Sequence, residues 1–86
     1  MHQKKTDWHQ VARGSLKAEM ALRGLSYEDL AASLAKLGID YEVRNLTNKI
    51  NRGTFSAAFY FQCLHALGVE RIDIGQLIAS LQNPRS

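Results

Sequence analysis

Between Asp40 and Gly53 the chain reads DYEVRNLTNKINRG, a segment rich in amide and guanidinium groups. At helical spacing Tyr41, Asn45, Asn48 and Arg52 fall along one side, with Arg44 and Lys49 flanking them. Val43, Leu46, Thr47 and Ile50 take the opposite side. A carboxamide can pair bidentately with adenine and a guanidinium with guanine, each pair discriminating by about 1–3 kcal/mol. The residues nearest a reading helix's N-terminus reach base edges, which makes Tyr41, Arg44, Asn45 and Asn48 the candidates for readout. Lys49, Arg52 and Thr54 suit phosphate contacts, which set position without reading sequence. Ser26 and Tyr27 open an earlier helix whose free amides could hold another phosphate. Glu28 and Asp29 oppose that approach unless they turn away. A solvent-facing polar helix with no partner would show the same periodicity.

Other reactive side chains form no comparable group. His2, His9 and His65 are far apart, and no His-His or Cys-His pair has ligand spacing, so surface or packing roles are expected and no metal. Cys63 is the sole cysteine, which excludes an intrachain disulfide, and its apolar surroundings point to a small core residue. Serine, histidine and aspartate occur without a nucleophile motif. No enzymatic activity, cofactor or small-molecule ligand is expected.

The elements that must position these groups are helical. Asp7 can cap a first helix carrying Trp8, Val11, Leu16, Met20 and Leu22, with Gly14 weakening its middle so that the opening turns could form a separate arm, and Gly24 closing it. Ser26 and Asp29 have capping-box spacing, with Leu25 and Leu30 as a hydrophobic staple. Leu30, Ala31, Leu34 and Leu37 then form one face up to Gly38. Asp40 is a suitable cap for a third helix through Arg52, with Gly53 as its stop. A fourth helix, TFSAAFYFQCLHAL from Thr54 to Leu67, is apolar nearly all round and reads as buried on several sides. Asp73 caps a fifth, with Gln76 at box spacing and Ile72 and Leu77 as its staple, and Asn83-Pro84 ends it.

The chain has 86 residues, 45% of them hydrophobic, enough for one modest core and one domain. Residues 1–6, with Lys4 and Lys5, read as a flexible basic arm, 7–82 as the domain and 83–86 as a tail. The formal net charge is +3, and the excess lies early: residues 1–53 hold nine Lys/Arg against six Asp/Glu. No apolar run approaches the roughly 20 residues of a membrane span. A cytoplasmic, nucleoid-associated location is expected.

The pieces LKAEMALRGLS (16–26), LA (30–31), NKINRG (48–53) and ALGV (66–69) resemble the repressor/Cro, or lambda-repressor-like, type of helix-turn-helix domain over residues 15–81. Extra residues between Leu30 and Gly38, and between Gly38 and Gly53, depart from that pattern and lengthen the segment presenting the third helix. The string NKINRGTFSAAFYFQCL (48–64) is also similar to a set of short bacterial domains of uncharacterised function. The resemblance implies an all-α bundle of about five helices and sequence-selective binding of double-stranded DNA by a bacterial or phage transcriptional regulator. Phe55, Phe59, Tyr60 and Phe61, with Leu77, Ile78 and Leu81, could supply a homodimer surface suited to a palindromic site. The alternatives are a protein-interaction module, antitoxin-like or inhibitory, using the aromatic fourth helix, and a non-specific architectural DNA binder.

Overall fold

The computed structural model describes residues 6–82 as five helices in one bundle: α1 (Trp8–Arg23), α2 (Tyr27–Lys36), α3 (Val43–Arg52), α4 (Ala57–Leu67) and α5 (Ile74–Gln82). The expected basic arm with His2, Lys4 and Lys5, and the Asn83-Pro84 stop, lie outside the described residues.

Local chemistry explains most boundaries. The Asp7 carboxylate accepts from the His9 and Gln10 amides at 3.1 and 3.2 Å. Ser26 accepts from the Asp29 amide at 3.1 Å while the Asp29 carboxylate accepts from the Ser26 amide at 2.8 Å, a complete capping box. Ser56 and Asp73 cap α4 and α5 with a single bond each, accepting from the amides of Phe59 and Gln76. Glycines in left-handed conformation close α1, α3 and α4.

Three expectations about the helix limits are corrected. Gly14 does not divide the first helix: α1 runs unbroken, because its packing on α3, α4 and α5 outweighs a glycine penalty of about 1 kcal/mol. Asp40 does not cap α3; Glu42 occupies the N-cap without a side-chain hydrogen bond, and Asp40 is exposed. The fourth helix begins at Ala57 rather than Thr54 because the Ser56 hydroxyl captures the Phe59 amide.

The core joins Leu16 and Met20 of α1, Leu30, Ala31 and Leu34 of α2, Leu46 and Ile50 of α3, and Phe59, Cys63, Leu64 and Leu67 of α4. Each fully buried leucine contributes about 1.5–3 kcal/mol against exposure. The Ser15 and Tyr60 hydroxyls bond at 2.7 Å and tie α1 to α4. Trp8 and Leu22, expected on the apolar side of α1, are instead exposed, as is Leu37 at the end of α2. Helix α4 is not buried on several sides either. Phe59, Cys63, Leu64 and Leu67 face inward, and Ala58, Phe61, Gln62 and His65 make an exposed edge.

Candidate functional sites on α3 and α4

Helix α3 is seated by Leu46 and Ile50, both fully buried, with Val43 half-buried beside them. Its opposite edge therefore faces solvent. Arg44, Asn45, Asn48 and Arg52 are all exposed there. So is Asn51, which the sequence reading passed over although it stands seven residues after Arg44 and three after Asn48, on the same side. The edge thus carries three carboxamides, two guanidiniums and no carboxylate. Among the described residues none of these five side chains makes an intramolecular hydrogen bond or ion pair.

The remaining predicted residues sit elsewhere. Tyr41 precedes the helix and is half-buried, its ring edge-on to Phe59 at 5.6 Å. Lys49 is half-buried, with its ammonium 5.1 Å from the centre of the Phe59 ring. Thr54 is exposed in the turn after α3. Ser26 is exposed, but its hydroxyl is engaged twice, accepting from the Asp29 amide and donating to the Asp29 carboxylate. Hydrogen bonds from the Ser26 amide and then its hydroxyl hold the Asp29 carboxyl below its usual range. The box is therefore intact at neutral pH and weakens as pH falls through that lowered value. Tyr27 is half-buried against the core, and burial pushes its phenol upward, keeping it protonated.

The start of α3 breaks local rules of helix stability. Its N-cap has no side-chain bond, and its first turn holds Arg44 and no acid. A missing cap costs about 1 kcal/mol, and a cation near the positive end of the helix dipole is unfavourable by about 0.3–1 kcal/mol. Locally unfavourable choices of this kind tend to cluster where a surface is used.

The position of α3 is fixed by α1 at Gly53. The His9 imidazole Nδ1 lies 3.1 Å from the Gly53 carbonyl oxygen, within reach to donate to it. Gly53 is buried, with φ 70°, and a β-carbon there would fall 2.4 Å from the His9 carbonyl oxygen. The first turn of α1 thus rests directly on the backbone that ends α3.

The second exposed feature is on α4. Its aromatics form a connected set with Phe55 just before the helix: Phe55 to Phe59 at 5.3 Å, Phe55 to Tyr60 at 6.2 Å with rings nearly parallel, and Tyr60 to Phe61 at 5.7 Å. Phe59 is buried and Phe55 and Tyr60 half-buried, whereas Phe61 is 65% exposed. Phe61 stands beside an open groove of about 280 Å³ between the end of α4 and the loop leading to α5. Leu77 and Ile78 of α5 are half-buried, and the side chain of Leu81 lies outside the described residues.

Among the described residues no group of three or more His, Cys, Asp or Glu is placed to hold a metal ion, and no helix is long and apolar enough to cross a membrane. A protein-family model described as "Domain of unknown function (DUF6471)" matches residues 8–72, from the first residue of α1 to the loop before α5. No curated protein and no solved structure matches the chain.

Proposed function

This chain belongs to the DUF6471 family, and we propose that it is a binding protein whose outward edge of α4 docks another protein. The exposure of Phe61 carries the reading. A polar helix edge is stable in water without a partner, whereas a phenylalanine ring held in solvent beside an open groove gains by being covered. Burying the exposed two-thirds of that ring would contribute about 1–2 kcal/mol to association. The test is capture from a cell extract followed by comparison of variants. A specific protein is retained by the native chain and by Asn48→Ala, and lost with Phe61→Ser. Retention that ignores Phe61→Ser removes the reading.

A second reading has its own observation. The α3 edge offers Arg44, Asn45, Asn48, Asn51 and Arg52 with no acid among them, which suits the major groove of DNA. Arg44, Asn48 and Asn51 descend the helix over about 10 Å, close to three base-pair steps of about 3.4 Å. In this reading Arg44 reads guanine, and the asparagines read adenine. Arg52 and Thr54 hold phosphates, as Lys49, Ser26 and Tyr27 do less directly, since packing or capping occupies them. The lambda-repressor-like resemblance, a role in transcription and a place at the nucleoid belong to this reading. Selection from a random duplex pool tests it. Asn48→Ala and Asn51→Ala flatten sequence preference, and Arg52→Ala weakens all sequences alike, lowering the salt slope by about one. A pool that emerges unenriched sinks it.

A further inference from the structure

We propose that the protein docked on the α4 groove is, in the isolated protein, a second copy of this chain, joined across a two-fold axis. The proposal rests on the reading that this edge docks a protein and adds the identity of the occupant.

The groove is lined by Phe61, Leu64, Val69 and Ile72 together with His65, Glu70 and Arg71. In a two-fold contact the same patch meets itself turned round, so that residue i faces j while j faces i. A patch suited to this must place a projection beside a hollow and must not repel its own image. Phe61 is the projection, 65% exposed and at the lip of the groove. Two-fold rotation brings each Phe61 ring to the other protomer's groove.

The charges obey the second requirement. Helix α4, AAFYFQCLHAL, holds no Asp, Glu, Lys or Arg, so nothing of fixed charge on its outward edge meets a like charge. The lining has one residue of each sign at adjacent positions, Glu70 and Arg71, both exposed. Among the described residues neither makes an ion pair within the chain. Across the axis Glu70 faces Arg71 of the other protomer, and the reciprocal pair forms at once. A different partner would have to bring a matching acid and base; this chain already carries both. The contact uses no residue of α3.

Sedimentation equilibrium of the purified 86-residue chain, in DNA-free buffer from micromolar to submillimolar concentration, tests the proposal. The native chain shifts from monomer to dimer mass across that range. Glu70→Arg and Arg71→Glu each weaken the dimer by about tenfold or more, since two reciprocal attractions become repulsions. Mixed in equal amounts, the two variants associate with each other, because an all-basic pair then meets an all-acidic one. The chain carrying both changes regains native self-association. Phe61→Ser is monomeric while keeping its helical circular dichroism, as expected for an exposed side chain. A native chain that stays monomeric throughout overturns the proposal, as does a dimer indifferent to these changes or a variant mixture that fails to associate. If the native chain is monomeric while Phe61-dependent capture of another protein persists, the docking reading survives and the second copy alone is excluded.

Discussion

Replacing Gly53 by alanine is expected to lower the stability of the domain by about 2–5 kcal/mol, each kcal/mol being a fall of about 4–8 °C in Tm for a chain of this size. Two costs add. At φ 70° a β-carbon crowds the following carbonyl, at about 1–2 kcal/mol. The same β-carbon would lie 2.4 Å from the His9 carbonyl oxygen, and backbone cannot turn aside as a flexible side chain can. The first turn of α1 must lift, opening well-packed contacts at about 1–3 kcal/mol. Gly24→Ala is the control. It has nearly the same φ, 65°, but nothing within 4 Å of the added carbon, so only the conformational cost applies, about 1–2 kcal/mol. Thermal unfolding followed by circular dichroism compares them. Equal losses in the two variants would mean that α1 does not rest on the end of α3, and the seat that directs the α3 edge outward would be gone.

That seat shows what the sequence could and could not reveal. The caps at Asp7, Ser26 and Asp73, and the stops at Gly24, Gly38, Gly53 and Gly68, were legible because each depends on chemistry within a few residues. Asp40 misled because a good capping residue does not oblige the chain to use it. Tyr41 packs on Phe59, a tertiary contact eighteen residues away along the chain, and α3 begins only beyond it. Trp8 and Leu22 misled because periodicity places residues relative to one another without saying how wide the buried stripe is. The contact of His9 with Gly53 joins residues 44 apart and has no local signature.

The candidate surfaces were partly legible for the same reasons. The inward set of Leu46 and Ile50 was correct, and its opposite side follows from helical geometry. Asn51 belonged to that side from the outset, three residues after Asn48, but the four-residue step from Asn48 to Arg52 passes over it. On α4 an unbroken apolar run masks its own phase, since Phe59 and Phe61 look alike in sequence yet one is buried and the other exposed. Only the packing of α1 and α2 against α4 separates them.

Cys63 offers the strongest direct check on that phase. It is fully buried, and burial pushes its thiol up to about 12, with the Lys49 ammonium pulling weakly the other way. At mildly alkaline pH the thiolate fraction is about three orders of magnitude below that of a free cysteine. Native protein is therefore expected to react with a thiol reagent more slowly by at least that factor, and only as fast as α4 opens. Denaturant should restore the free rate. The sign of the pH effect follows from the same shift. Above about pH 9 the unfolded thiol loses its proton, while the folded one keeps it until near 12. The unfolded state then binds fewer protons, so stability falls as pH rises through that window, and Cys63→Ala flattens the fall. Phe59, Cys63 and Leu67 lie four residues apart along α4, so a sealed Cys63 turns Phe61 and His65 outward. Rapid labelling of Cys63 in the folded protein would place α4 in another rotation, and the exposed aromatic edge, with its groove, would lose its basis.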